Sequence, residues 1–238
     1  MSQSGPIEAT SIGDEIAFRL EADILDGAYQ PGTHLLQADI CARFGVSRTP
    51  VREAFLKLQA QNLVELIPNK GARVRVPTLS ELTDVYSVRA ELEGYAASLA
   101  ATKCSPDTFA ALDFAQSQLE RVVLNLGDPT EQRASESFIN SQMTRFNEEF
   151  HSVIRDAAGN QLLDRMIADL QKHFPKDYVW KATATIEQIN AINVTEHRAI
   201  AEALRQNDPA GARSAMTAHV EHAAEILLRH LQDRGAAH

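Results

Sequence analysis

Two short stretches of alternating apolar and polar residues follow three helical patterns near the start of the chain, and this order strongly constrains the fold. The stretches are LVELI at 63–67 and ARVRV at 72–76, and the turn sequence PNKG joins them. Alternation with a period of two, broken by proline and glycine, predicts a β-hairpin. Helical spacing of apolar residues covers 11–26, 38–44 and a third segment that starts near residue 47. Three helices followed by a hairpin predict a winged helix-turn-helix.

The third helix opens on the sequence GVSRTPVREAF. Ser47 stands where a helix cap is expected, and Pro50 falls in the first turn, where its missing N–H leaves no hydrogen bond unmade. Arg48 and Arg52 are four residues apart and therefore share one helix face. This helix is the expected recognition helix, with its first turn directed at DNA.

The charge distribution agrees with a local DNA-binding surface. The chain has a formal net charge of −9. However, residues 43–75 contain seven lysines and arginines against two acids, whereas residues 78–238 contain 15 against 23. An acidic body repels DNA, so only the basic patch can dock on it.

We predict a role for each polar group of this patch. Arg48 and Arg52 are expected on base edges in the major groove, where arginine binds guanine O6 and N7. Ser47 and Thr49 suit phosphates at the start of the helix. Lys70, at the hairpin tip, can reach the DNA backbone or the minor groove.

After residue 77 the strand patterns disappear. Helical patterns cover 79–102, 106–126, 134–157, 160–174, 183–206 and 209–233. Ser80 is the expected cap of the first of these helices. The predicted fold is therefore mainly α, with a winged helix-turn-helix at 1–77 and an all-α helical bundle at 78–238.

Four residues of the second domain form a candidate metal site. Asn147 and His151 are one helical turn apart, and His197 and His219 lie on later helical segments. Neutral imidazoles from three helices and one oxygen suit a divalent first-row metal inside a bundle. With eight histidines in 238 residues, spacing alone favours ordinary surface or core histidines.

The N-terminal part resembles the DNA-binding domain of the GntR family of bacterial transcriptional regulators. The resemblance covers residues 10–76 and is carried by ILDGAYQPGTHLLQADICARFGVSRTPVREAFLKLQAQNLVELIPNKGARV. Gln37 stands where glutamate is frequent in the family, and Ala38 where arginine is frequent in some members. The residues that the resemblance places at or near DNA are Ser47, Arg48, Thr49, Arg52 and Gly71.

Residues 79–230 look like the FCD domain, the helical effector-binding domain of the FadR-type GntR subfamily. The matching segments are VRAELEGYAASLAA, NEEFHSVIRDAAGN, EHRAIAEALRQND and ARSAMTAHVEHA. In metal-binding members, an acid four residues before a histidine and two later histidines bind a divalent metal. Those positions fall here on Asn147, His151, His197 and His219. Zinc is the expected metal, with nickel and manganese as alternatives, and the uncharged Asn147 is expected to lower the affinity.

A small metabolite is the expected effector, bound through a carboxylate or hydroxyl oxygen at open positions of the metal. Arg89 is the candidate cation for the carboxylate, with a salt bridge to Glu93 as the alternative. Asn193, one turn before His197, is a candidate polar contact. His222 is a less favoured ligand, expected on the helix flank.

The leading hypothesis is a homodimeric bacterial transcription factor, a repressor released by its ligand, that binds an inverted repeat in double-stranded DNA. One alternative is a regulator whose metal is structural or absent and whose effector site does not need it. A metalloenzyme is less favoured, since Glu148 and Glu149 are expected to point away from the face of His151 and no G-x-S-x-G motif occurs.

The sequence also predicts where the protein is found. No apolar run approaches the ~20 residues that span a bilayer, and the N-terminus lacks a secretory pattern. Cys41 and Cys104 have no metal-binding spacing and are expected to be reduced thiols. A cytoplasmic protein without membrane contact is the expectation.

Overall fold

The computed structural model describes residues 11–25, 27–68, 70–127, 136–173, 189 and 191–235, which form two compact units. The first unit contains the described residues up to Pro77, with Lys172 and His173, and the second contains the others from Thr78 onward. No helix within these ranges is long and apolar enough to cross a membrane.

The first unit has the predicted winged helix-turn-helix architecture. Its elements are α1 (Ile12–Leu25), β1 (His34–Leu36), α2 (Gln37–Phe44), α3 (Arg48–Ala60), β2 (Val64–Ile67) and β3 (Gly71–Val74). The strands form one antiparallel sheet in the order β1-β3-β2. In the hairpin, Val64 lies opposite Val74 and Ile67 opposite Gly71.

The apolar periodicities of the sequence build the core of this unit. The buried side chains come from α1, β1, α2, α3 and the hairpin, and include Ile16, Leu20, Ile24, Leu35, Ile40, Val51, Phe55, Leu58, Val64 and Val74. Gly45 ends α2 in the left-handed conformation, with φ of 67°. Glycine takes this conformation without a Cβ clash, so the chain turns directly into α3.

The second unit is all helical within the residues the structure describes. Its elements are α4 (Leu79–Ala100), α5 (Pro106–Gly127), α6 (Glu136–Ala158), α7 (Gln161–Gln171), a π-helical segment (Ala191–Glu196), α8 (His197–Arg205) and α9 (Pro209–Gly235). The predicted all-α C-terminal part is therefore confirmed.

The first helix of this unit is capped by Thr78, not by the predicted Ser80. The Thr78 side chain accepts a hydrogen bond from the Glu81 N–H at 3.1 Å. The Glu81 carboxylate in turn accepts from the Thr78 N–H at 2.9 Å. Thr78 and Glu81 have the spacing of a capping box, which satisfies two free N–H groups, and this reciprocal pair places the start of α4 at Leu79.

The segment predicted as one helix over 183–206 is not uniform. Residues 183–188 lie outside the described part of the chain. From Ala191 to Glu196 the backbone is π-helical, and the α-helix begins only at His197. A π turn widens the helix and is frequent at functional sites, and here it leads directly into one of the candidate ligands.

Helix α9 carries the candidate ligand His219, and α4 packs closely against this helix. A Cβ on Gly94 of α4 would clash with the Thr217 hydroxyl of α9, so glycine is what allows this approach. The Thr217 hydroxyl donates to the carbonyl of Ala90 at 3.2 Å. The helices are therefore held at a fixed separation.

Candidate metal centre and DNA-binding surface

Six of the seven cations between residues 43 and 75 fall into two groups, one paired with acids and one unpaired. Three of them are bound by acids, in the pairs Arg43–Asp23 (2.5 Å), Lys57–Asp14 and Arg73–Glu65 (2.8 Å). In contrast, Arg48, Arg52 and Lys70 are exposed and form no ion pair or side-chain hydrogen bond with the residues the structure describes. Ser47 and Thr49 are also exposed. The cations predicted to contact DNA are thus those left free for an external anion.

A groove of about 430 Å³ joins α3 to the hairpin and is lined by Arg52, Lys70 and Gly71. Gln37 forms hydrogen bonds with residues on both sides of this groove. Its Nε2 donates to the Arg48 carbonyl at 3.0 Å, and its backbone N–H donates to the Lys70 carbonyl at 3.1 Å. An ionised glutamate can only accept hydrogen bonds, so the first of these links needs the glutamine of this chain.

Gly71 has a packing reason for being glycine. Its φ is 136°, and a Cβ there would meet the Leu35 carbonyl and the Gln37 N–H. A side chain at this position would therefore push β1 away from β3. This close approach explains the residue without DNA, so its place at the DNA stays a prediction.

In the second unit, the structure brings the three predicted histidines together. His151 of α6, His197 of α8 and His219 of α9 are buried, and one nitrogen from each lies within 4.8 Å of the others. The Nε2 atoms of His151 and His219 are 3.1 Å apart. Nitrogens ~2.1 Å from a shared zinc ion would stand roughly 3.0–3.4 Å apart. The spacing of this pair therefore fits two ligands of one ion.

The buried ring of His197 packs against its neighbours, but its nitrogens are not used by any described residue. Its ring stacks on Phe150, with centroids 4.0 Å apart and planes within 4°. Neither ring nitrogen has a hydrogen-bond partner among the described residues. Burial, together with His219 and His151, lowers the pKa of His197 well below its usual value. The ring is therefore neutral, which is the form that binds metals.

Two carboxylates hold the other two rings. The Glu93 Oε2 atom lies 2.8 Å from His151 Nδ1, and Glu196 Oε2 lies 2.8 Å from His219 Nδ1. A carboxylate hydrogen-bonded to Nδ1 fixes the ring and leaves Nε2 for a metal, as Glu196 does for His219. The contact of Glu93 with His151 is equally short but lies outside hydrogen-bond geometry. Burial alone would raise the pKa of Glu93, but Arg89 and His151 hold it well below its usual range. Glu93 is therefore ionised.

Asn147 has a buried side-chain oxygen and lies on the same face of α6 as His151. It stands one turn before His151, so the two side chains point the same way. Its Oδ1 is buried and accepts no hydrogen bond from any residue the structure describes. A buried amide oxygen without a donor is costly. A bound cation would satisfy this atom, so the residues present fit a metal ion.

Two comparisons with known sequence families decide the identity. Residues 12–74 match the bacterial regulatory proteins of the gntR family, and residues 84–222 match the FCD domain. The chain belongs to the GntR family. It is a bacterial DNA-binding transcriptional regulator and not an enzyme, with a winged helix-turn-helix followed by an FCD domain.

Individual relatives agree with this assignment over almost the whole chain. The HTH-type transcriptional regulator YdhC of Bacillus subtilis is 24% identical over 219 residues, covering 91% of each chain. The HTH-type transcriptional repressor RspR of Escherichia coli is 24% identical over 229 residues, covering 91% of this chain and 89% of its own. The structure of E. coli McbR/YncC superposes with a TM-score of 0.73 at 22% identity, covering 93% and 99% of the two chains, which supports the fold.

Arg89 and Asn193 are the expected effector contacts of this GntR regulator, and both already have partners in the structure. Arg89 donates to Glu93 Oε1 through Nε at 3.1 Å and Nη2 at 2.8 Å, which is the salt bridge left open as the alternative to effector binding. Asn193 is fully buried, and its Nδ2 donates to the Ile189 carbonyl at 3.0 Å. The Asn193 Oδ1 has no partner in the described ranges.

His222 lies beside the cluster and not in it. Its side chain is 39% exposed, and its Nδ1 is 2.5 Å from Glu196 Oε1. Glu196 therefore bridges His222 and His219. The position on the flank of α9 agrees with the expectation from the sequence.

Sequence reasoning missed three groups around the histidines. The sequence indicates Glu93 only as a partner of Arg89 and gives no indication of a role for Glu196. Arg155, one turn after His151, is 8% exposed and binds Asp164 at 2.9 Å and Glu148 at 2.6 Å. Its Nη1 is buried without a partner among the described residues. Arg155 stands four residues after His151 and therefore shares its helix face, and this spacing is the signal that could have identified it.

Proposed function

We propose that this regulator binds one divalent transition-metal ion through Asn147, His151, His197 and His219, and uses it to sense a small anionic metabolite. The observation that supports this most directly is the buried His197 ring, whose two nitrogens have no hydrogen-bond partner in the described structure. Three neutral imidazoles and one oxygen suit zinc, with nickel and manganese as alternatives.

The ion would act by supplying a Lewis-acidic position for an oxygen of the effector. The chain's own residues orient the ligands, since Glu196 hydrogen-bonds to the ring of His219 and Glu93 lies against the ring of His151. A metabolite carboxylate is the proposed ligand because cations line the same bundle. Arg89 and Asn193 are the proposed effector contacts, and Arg155, with its unpartnered Nη1, is a further cation near His151.

The first unit is proposed to bind an inverted-repeat operator as part of a homodimer whose FCD domains associate. In this arrangement α3 enters the major groove and the hairpin contacts the backbone. The proposed contacts are Ser47, Arg48, Thr49, Arg52, Lys70 and Gly71. The exposed, unpaired Arg48, Arg52 and Lys70 support this surface. RspR is named a repressor, and repression relieved by the metabolite is proposed here as well.

Metal analysis of the purified full-length protein tests the proposal, with affinity tags removed and no metal added. We expect about one equivalent of metal per chain, as for a site with a single set of protein ligands. Protein that contains no metal, even after reconstitution with zinc, nickel or manganese and removal of the excess, would refute the metal site.

A further inference from the structure

The direct ligands of the proposed site carry no charge. His151, His197 and His219 are neutral as ligands, and Asn147 offers an amide oxygen. Within the described residues, the three histidines are the only set of histidine, cysteine and acidic side chains clustered closely enough to hold an ion together. A divalent ion held by these four groups would therefore keep its full charge of +2 in its direct coordination shell.

The negative charges of the site lie one layer out. Glu93 and Glu196 contact Nδ1 atoms of the histidines, on the side of each ring away from Nε2. Glu93 is also paired with Arg89 at 2.8 Å, so its charge is already balanced. Glu196 is 25% exposed and shared with His222. These carboxylates orient the rings but compensate the ion only in part.

Charges farther away do not change this picture. Arg155 is paired with both Glu148 and Asp164, which leaves one negative charge in excess, but these acidic side chains are 35% and 46% exposed. Solvent screens partly exposed charges. The buried region next to an ion at the histidines would thus retain positive charge, and an uncompensated charge in a buried site is costly.

We propose that a metal ion and an anionic ligand occupy this site as a mutually dependent pair, each raising the affinity for the other, because Asn147 leaves the direct ligands uncharged. This inference rests on the metal site of the proposed function. Coupling between two ligands is reciprocal, so an ion that favours the anion is itself retained by the anion. The regulator would then respond fully only when both metal and anion are present.

Cobalt titration of full-length protein tests this dependence, because the visible absorption of Co²⁺ reports its coordination. The titration is run in two buffers of equal ionic strength, one containing acetate as the anion and the other chloride only. For the natural sequence, we expect acetate to tighten Co²⁺ binding by about tenfold. The absorption band should also change shape as the acetate oxygen enters.

Variants at Asn147 identify the cause. In Asn147→Asp the ligand set carries its own negative charge, so Co²⁺ should bind more tightly in chloride, and the acetate effect should fall below about threefold. Asn147→Ala removes the oxygen without adding charge, so its weaker Co²⁺ binding should keep the acetate dependence. Asn140→Asp, about 10 Å earlier along α6, makes the same chemical change away from the histidines and should behave as the natural protein.

The outcomes separate this inference from the proposed function. Equal Co²⁺ affinity in acetate and chloride for the natural sequence would overturn the mutual dependence and leave the metal site standing. An unchanged acetate effect in Asn147→Asp would also overturn it. Absence of Co²⁺ uptake by the natural protein and by Asn147→Asp, in both buffers, would overturn the metal site together with this inference. If Asn147→Asp does not fold, the natural protein and Asn147→Ala still decide the result.

Discussion

The proposed DNA-binding surface and the histidine cluster present their side chains in opposite ways. Arg48, Arg52 and Lys70 are exposed, and no described residue binds their charged groups. His151 and His219 are buried, and each has its Nδ1 atom beside a carboxylate. The first surface leaves its functional groups free, whereas the second constrains them before any ligand arrives.

The difference follows from what each region would bind. DNA is a large polyanion, and neutralising its phosphates releases counterions, so exposed and flexible cations are sufficient to attract it. A metal ion needs several ligand atoms within a few tenths of an ångström of their final positions, and second-layer partners set those positions. Side-chain mobility is therefore useful on the proposed DNA-binding surface and harmful at the histidines.

We expect the largest effect on metal affinity from removing a ligand at the centre of the histidine cluster. His197→Ala removes the ring whose nitrogens have no other partner, so metal affinity should fall by more than ~100-fold, beyond the usual cost of an outer-layer change. Metal content after dialysis measures this loss. The matched control is His34→Ala, an exposed histidine of β1, which should keep its metal. Full metal content in His197→Ala would remove this residue from the site.

A smaller effect on metal affinity should follow from removing the charge of a carboxylate that orients a ligand while the ligand itself is kept. Glu196→Gln withdraws the negative charge from His219 Nδ1, and metal affinity should fall by roughly 10–100-fold. Competition with a chelator of known affinity measures the change. Glu202→Gln, on the exposed side of α8, is the control. Equal affinities in the two variants would mean that Glu196 does not set the ring of His219.

On the proposed DNA-binding surface, single substitutions should reduce specificity more than they disturb the fold. Arg48→Ala and Arg52→Ala should each weaken binding to an operator selected in vitro by about 1–3 kcal/mol. Fluorescence anisotropy against operator and scrambled duplexes separates base reading from phosphate attraction. Arg19→Ala, an exposed arginine paired with Glu15, is the control. A loss of the same size on both duplexes would argue against base reading.

We expect the smallest effect, a small change in stability, from the ion pair between Lys57 and Asp14 in the first unit. A hydrogen bond from Lys57, aided by Ser11, lowers the pKa of Asp14 from 3.8 to about 2. A carboxyl whose pKa is lower in the folded state stabilises the fold above its unfolded pKa, and this contribution disappears as the pH falls through the folded value. Asp14→Asn should therefore lower the urea midpoint slightly at pH 6, and the difference from the natural protein should shrink between pH about 4 and about 2.

The Asp14 side chain is 43% exposed, so solvent screens its ion pair. The control is Lys57→Gln, which should show the same small deficit and the same pH dependence. A deficit that persists unchanged at pH about 2 would indicate that the carboxylate is not its source.

Much of the winged unit could be predicted from the sequence because its signals are local. The hairpin follows from alternation in LVELI and ARVRV, and the start of α3 from Gly45 and Pro50. The free cations Arg48 and Arg52 share one helix face by spacing alone. Each of these features depends on residues a few positions apart, where backbone geometry relates sequence directly to structure.

The histidine cluster required tertiary structure, because its members meet only when separate helices pack. His151 and His219 are 68 residues apart in sequence, yet their Nε2 atoms lie 3.1 Å apart. Glu93 and Glu196 reach the rings from α4 and from the π-helical segment, which residue spacing did not indicate. The pairing of Arg89 with Glu93 was likewise one of two options in the sequence, and the structure shows that pairing.

The sequence by itself therefore determined the elements, their order and the residue types available for chemistry. Hydrogen bonding along the backbone and the apolar periods of two and 3.6 residues are encoded locally. Tertiary packing decided which cations stay free, which imidazoles are neutral and which carboxylates orient them. Those properties depend on burial and on distances between helices, which no local pattern specifies.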